Sequence, residues 1–239
     1  MGKRIISQRS GKGSVFRATK RAKADVKYID YDDKQKKSKV NGELFDLLDD
    51  RGRSSVLAEI VFEDGRKEFV PAAEGIYVGE TIEYGAEAKI KIGNVMPLAN
   101  IPEGCPVFNM EKKINDGGKY ARSSGSYGLV VSKDGKYAYI KMPSGRQIAI
   151  EKECRATIGC ASGGARKDKP FVKAGAKFHA AKGRSKKYPK VRGVAMNPVA
   201  HPHGGGAHHV GRSKSVSRHS PPGAKVGAIA SKRTGRKKR

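Results

Sequence analysis

Apolar residues in this chain come in short β-branched or aromatic runs separated by turn dipeptides, and no long stripe of period 3.6 crosses it. Val56-Leu57-Ala58-Glu59-Ile60-Val61-Phe62, Ile90-Lys91-Ile92, Gly128-Leu129-Val130-Val131 and Tyr137-Ala138-Tyr139-Ile140 are predicted strands. Asn41-Gly42, Asp64-Gly65, Asp116-Gly117, Asp134-Gly135 and Ser144-Gly145 are predicted turns. Lys133-Asp134-Gly135-Lys136 lies between two such runs and predicts a hairpin, because glycine takes positive φ without steric cost. Residues 25 to 153 therefore predict an all-β region of many short strands. The stretch Gly85 to Asn94, followed by Met96-Pro97-Leu98-Ala99-Asn100-Ile101-Pro102, is expected to connect two small units. Units of about 60 residues are marginal alone, which fits a protein stabilised by a partner.

Charge changes the picture outside that region. Residues 1 to 24 carry eight basic residues and no acid, residues 25 to 153 carry 20 basic against 22 acidic, and Cys154 to Arg239 carry 22 basic against Asp168 alone. With a net charge of +27 and a pI near 10.1, the chain predicts a polyanionic partner. No apolar run approaches the roughly 20 residues of a spanning helix, and the start MGKRIISQRSGKG has no secretory apolar region, so no membrane partner and a cytoplasmic location are expected. Cys105, Cys154 and Cys160 are odd in number and form no C-x-x-C pair, and are expected to be small buried apolar residues. With no tryptophan and 7% aromatics, wholesale base stacking is not the expected mode of binding. Past Cys154, glycine and proline leave room for helix only in short pieces, such as Arg184 to Lys190, where Pro189 opposes extension.

The stretch Lys190 to His209, KVRGVAMNPVAHPHGGGAHH, is too poor in large apolar residues to close a core. His201-Pro202-His203 with His208-His209 invites a metal, yet the stretch has no Cys or acidic ligand, and RNA contact by these imidazoles is the stronger expectation. Neither G-x-S-x-G nor G-x-x-x-x-G-K-[ST] occurs, and the serines near the histidines lack an orienting acid, so no catalytic apparatus is expected. Gly204-Gly205-Gly206 is either a flexible linker or bare backbone able to approach phosphates, the latter favoured by its basic surroundings. Ala161 to Lys167 can likewise be a solvated loop or a phosphate-hugging one, and the terminal basic run a solvated face, a localisation signal or an electrostatic tail. Phe16, the one aromatic among Lys12, Arg17, Lys20 and Arg21, either stacks beside phosphates or tucks against the first folded unit. No recognition helix, zinc finger or basic zipper is visible, so structured RNA is preferred over duplex DNA.

These residues resemble a known family, the second universal protein of the large ribosomal subunit, or L-two family. The resemblance covers nearly the whole chain. It is sharpest in Arg192 to Val199 with His201 to Gly206, in Cys154-Arg155-Ala156-Thr157-Ile158-Gly159 and in Asp168-Lys169-Pro170-Phe171-Val172-Lys173-Ala174-Gly175. Gly11 to Arg17, Pro221 to Gly227 and Ser231 to Arg236 resemble its archaeal and eukaryotic branch. The resemblance implies an OB-like barrel (25–88), an SH3-like barrel (89–165) and basic extensions (1–24 and 166–239) embedded in large-subunit ribosomal RNA. It implies roles in assembly, subunit association and tRNA binding, with Asn197 to Gly206 reaching toward the peptidyl transferase region. Other ribosomal proteins and the small subunit, at an intersubunit bridge, are implied partners. No cofactor is implied beyond structural magnesium ions shared with the RNA, and catalysis is ascribed to RNA. The expected RNA-contacting residues are Lys12, Phe16, Arg17, Arg155, Arg166, Lys167, Lys173, Arg192, Met196, Asn197, His201, His203, Gly204, Gly205, Gly206, Arg212, Arg233 and Arg236. Ala200 stands where the family commonly carries an acid before the first histidine. The competing expectations are a histidine-cluster metallohydrolase and a DNA-compacting protein.

Overall fold

In a computed structural model the chain is described over residues 2–231, other than 10, 12, 14–15, 18–23, 51, 167, 207–214 and 222–223. It divides into two compact units, one of residues 20–171 and one of residues 1–19 with 172–239.

The first of these is all-β, with an OB-like barrel followed by an SH3-like one. A short helix α1 (Asp33–Lys37) leads into β1 (Lys39–Leu48), the longest strand, which pairs antiparallel with β2 (Leu57–Phe62) and with β4 (Thr81–Gly85), while β2 pairs with β3 (Lys67–Pro71). The β2–β3 hairpin turns at Asp64-Gly65, as expected, with Gly65 at φ +80°. Alternation along β2 and β3 turns Ala58, Ile60, Phe62 and Val70 inward, where they join Leu44, Ile82 and Tyr84 in one core.

Asn41-Gly42 is not the expected turn. It lies inside β1, where a Cβ on Gly42 would stand 2.6 Å from Ile60 Cγ2, so glycine is kept there to let the cross-strand isoleucine pack.

The second barrel is built from β5 (Val95–Pro97), β6 (Pro106–Phe108), β7 (Gly128–Lys133), β8 (Tyr137–Lys141), β9 (Gln147–Glu151) and β10 (Arg155–Ile158). Strands β6 to β9 form an antiparallel meander, and β10 returns to pair with both β5 and β6. Asp134-Gly135 makes the expected β7–β8 hairpin, although Gly135 is not among the residues with positive φ.

Two expectations are corrected here. Ile90-Lys91-Ile92 is a turn, not a strand, and leaves Ile90 62% and Ile92 50% exposed. Met96 to Pro102 is not a connection but part of the second core, with Met96, Leu98 and Ile101 buried among Val107, Val130, Ile140 and Ala156. Pro97 fits β5 because the neighbouring Leu98 N–H supplies the bond to Cys154 O at 2.9 Å. Cys154 is buried, its thiol pushed up to about 12 chiefly by that burial, while Cys105 and Cys160 are half-buried and free.

A second buried polar group sits in the first barrel. Glu68 accepts the Ile29 N–H at 2.6 Å, and the buried Tyr84 hydroxyl donates to its other oxygen. Burial pushes the Glu68 carboxyl up to about 7 and the Tyr84 phenol well above its ordinary value. The folded chain thus holds a proton that the unfolded chain releases near pH 4.5. The stability this contributes is complete below that pH and lost as pH rises through about 7, on the order of 3 kcal/mol. Glu68→Gln keeps the shape and removes the charge, so it is expected to flatten the pH dependence of thermal unfolding between about pH 5 and 8. Circular dichroism melts that show the same slope for parent and variant would contradict this.

In the other unit the described elements are a 3-10 turn at Ile6–Arg9, helix α2 (Ala174–Gly183), a 3-10 turn at Gly193–Ala195 and the two-residue parallel pair β11 (Ser215–Val216) and β12 (Ala228–Ile229). The expected helix at Arg184 to Lys190 is absent. It lies one segment earlier, where alanines favour it, and the chain after it leaves helical geometry through Ser185 at φ +56°.

Candidate RNA interface

The extension unit has almost none of the apolar burial that normally fixes a fold. Among its described residues Ile5 and Val226, each 7% exposed, are the only buried hydrophobic side chains. Helix α2 buries none of its ten residues, and no side chain caps its N-terminus. A helix this short and without an apolar stripe is marginal in water and needs a surface to hold it.

What organises the unit is close backbone packing between small residues. The Lys3 N–H donates to Val199 O at 2.8 Å, which ties the N-terminal arm to the late segment. Around Val199 the chain folds back on itself. The amides of Ala200 and His201 both donate to Asn197 O, at 2.9 and 3.2 Å, and those of Gly204 and Gly205 donate to His201 O at 2.9 Å and to Met196 O at 3.2 Å. A Cβ on Gly204 would collide with the Met196 and Asn197 carbonyls, and Gly193 is bare because the His201 ring lies against it. The expectation that the triple glycine approaches phosphates is therefore modified, because Gly204 and Gly205 are used first for approach to the chain itself.

This fold sets the state of the histidines. The His203 N–H donates to His201 Nδ1 at 3.1 Å, and the two rings lie 5.0 Å apart. Nδ1 is thus an acceptor and the ring is neutral, with burial first and His203 second holding the imidazole below its ordinary value. His208 and His209 lie outside the described residues, and no group of three or more potential metal ligands forms among those described.

Within the same unit a cavity of about 1270 Å³ opens between the arm and the late segment. Its walls carry Lys3, Arg4, Arg9, Lys177, Lys186, Lys187 and Lys190, with no acid, and Phe16, Tyr188, Met196 and His201 supply flat or polarisable surface. Lys177 lies 4.9 Å over the Tyr188 ring. Cations interleaved with aromatic faces in a concave site suit phosphate and an unpaired base together.

The structure brings Phe16, Met196 and His201 to this one cavity. Phe16 thus lines it, half-buried. Arg17, Lys173, Arg192, Asn197 and Gly206 are exposed, and His203, Gly204 and Gly205 are half-buried. Arg166 is exposed in a turn of the β unit. Lys12, Lys167, Arg212, Arg233 and Arg236 lie outside the described residues.

Arg155 is the correction. It is 1% exposed, and its guanidinium donates to Glu111 at 2.8 Å, to the Ile29 carbonyl at 2.8 Å and to Gln35 at 3.0 Å, with the rings of Tyr28 and Tyr31 alongside. It joins the two barrels and has no face left for RNA. Sequence reasoning also missed Lys3, Arg4 and Lys177. The signal was Ile5-Ile6 inside an otherwise polar arm, an anchor that had to be buried somewhere.

Two small barrels and a cationic unit with hardly any apolar burial among its described residues suit an RNA-binding protein. Comparison with known proteins agrees with this class. Residues 3–84 match the family model described as Ribosomal Proteins L2, RNA binding N-terminal domain, and residues 91–225 match Ribosomal Proteins L2, C-terminal domain. Relatives called large ribosomal subunit protein uL2 include that of Methanococcus maripaludis strain C5, 51% identical over 99% of this chain and all of the relative. That of Methanocaldococcus jannaschii is 50% identical over the full length of both, and that of Methanothermobacter thermautotrophicus is 46% identical, again over the full length. The chain belongs to the ribosomal protein L2 family.

Proposed function

We infer that the chain is a structural, RNA-binding constituent of the large ribosomal subunit in the cytoplasm, with large-subunit ribosomal RNA and neighbouring ribosomal proteins as its partners. The observation that carries this is the extension unit, whose charge and scant apolar burial among its described residues leave a folded polyanion as the surface that stabilises it. Within that role, Asn197 to Gly206 and the cavity beside it contact RNA of the peptidyl transferase region. The protein supports tRNA binding there and subunit association at a bridge to the small subunit. It performs no catalysis of its own, since neutral His201 has no carboxylate beside it to orient it as a base. Magnesium ions at its surface are shared with RNA phosphates.

Gradient sedimentation of a tagged chain tests this. The protein is expected to travel with large subunits. Gly205→Val should lower its incorporation about tenfold or more with the barrels still folded, because position 205 has φ +109° and a Cβ there would meet Pro198 at 2.9 Å. Tagged protein left at the top of the gradient would overturn the inference.

A further inference from the structure

The second barrel carries a concave site that none of the RNA-contacting residues above touches. Tyr127, 47% exposed, lines it together with Leu129 of β7 and Lys141 of β8, which are register partners, and with Met142, Pro143 and Gly145, around a cavity of about 390 Å³. That volume is at the small end of ligand sites and suits one flat group rather than a helix or duplex.

Both walls are fixed. The Gly125 N–H donates to Ala161 O at 2.8 Å and the Ala161 N–H returns to Ser126 O at 3.2 Å, which anchors the residues just before Tyr127. Gly125 also lies so close to Gly164 that a Cβ would fall 2.7 Å from its Cα. Opposite, Met142 N–H donates to Arg146 O and Gly145 N–H to Met142 O, both at 2.8 Å, so the turn is closed on itself.

The electrostatics select the occupant. No acid lines the cavity, and among the described residues neither Lys141 nor Arg146 is in an ion pair, whereas Lys136 at the other end of β8 is paired with Glu151 at 3.7 Å. Because Ala138 and Ile140 are fully buried, the alternation of β8 puts Tyr137, Tyr139 and Lys141 in line on the outer face. This is an aromatic track leading from an unpaired cation at the cavity.

We propose that this site takes an unpaired RNA nucleotide, its base stacked on Tyr127 and its phosphate on Lys141, with the adjoining strand running along Tyr139 and Tyr137. An unpaired base is required because the ring face of Tyr127 is met only by a base face that is not already stacked in a duplex. The proposal rests on the RNA-bound role inferred above and adds a second, separate contact to it.

The test compares free full-length protein with intact large subunits. Tyrosine nitration followed by mass spectrometry is expected to show Tyr127 at least tenfold less reactive in subunits, and ultraviolet crosslinking is expected to join it to a nucleotide. Acetylation of Lys186 and Lys187, read in the same samples, reports on the extension unit. Protected lysines with equally reactive Tyr127 would overturn the site and leave the RNA-bound role intact, whereas unprotected lysines would overturn that role. Protection of Tyr127 with crosslinks only to peptide would make the occupant a protein and overturn the site as well.

Discussion

Replacing Arg155 by alanine is expected to destabilise the β unit by about 3–5 kcal/mol. Arg155 lies at the start of β10, and the Glu111 carboxylate takes its Nη2 at 2.8 Å, its Nε at 3.3 Å and its backbone N–H at 2.9 Å. Glu111 is fully buried, so removing the guanidinium strands a carboxylate in the interior together with the Gln35 and Ile29 acceptors. Desolvation makes such a stranded charge cost more than the pair contributes when intact. The double substitution Arg155→Met with Glu111→Leu should therefore recover a good part of the loss, since it removes both charges. Urea unfolding of the full chain followed by circular dichroism measures both. A stability unchanged by Arg155→Ala would return this residue to the surface role that the sequence assigns it.

Binding to large-subunit ribosomal RNA is expected to weaken about 10⁴- to 10⁵-fold between 50 and 200 mM salt. The extension unit offers Lys3, Arg4, Arg9, Lys177, Lys186, Lys187 and Lys190 around one cavity without a competing acid. Each neutralised phosphate releases condensed counterions, and about ten such contacts give a slope of log K against log salt between roughly −7 and −9. Lys186, Lys187 and Lys190 changed together to alanine should reduce the magnitude of that slope by roughly 2 to 3 while leaving the choice of RNA unchanged. Filter binding over a salt series reads both numbers. A slope near zero would remove the electrostatic basis of the interface, and altered selectivity would show that these lysines read sequence.

The strands were legible wherever local preference and tertiary packing agree. Strands β2, β7 and β8 fall where β-branched and aromatic runs are bounded by turn residues, and the Asp64-Gly65 and Ser144-Gly145 turns follow the same logic. Legibility fails where packing overrides local chemistry. Asn41-Gly42 carries the strongest short turn signal in the chain, yet β1 runs through it because Ile60 and Phe62 need the space that Gly42 leaves. Met96-Pro97 looks like a linker, and only the long-range pairing with Arg155 and Ala156 makes it a core strand. Arg155 itself sits at the edge of the basic third of the sequence, and nothing local shows that Glu111, 44 residues earlier, claims it. In the extensions, composition points to a polyanionic partner but not to a cavity shared by the arm and the late segment, because that depends on the Lys3 and Val199 backbone bond.

That bond also sets a timetable. Lys3 leaves the translating ribosome long before Val199 is made, an interval on the order of 10 to 40 s at ordinary elongation rates. Both barrels are synthesised during this wait, while the arm remains an unpartnered polycation in a cell full of RNA. Closure of the extension unit consequently waits for the late segment, and a nascent protein stalled before Val199 would have both barrels made and an arm still free to capture the wrong nucleic acid.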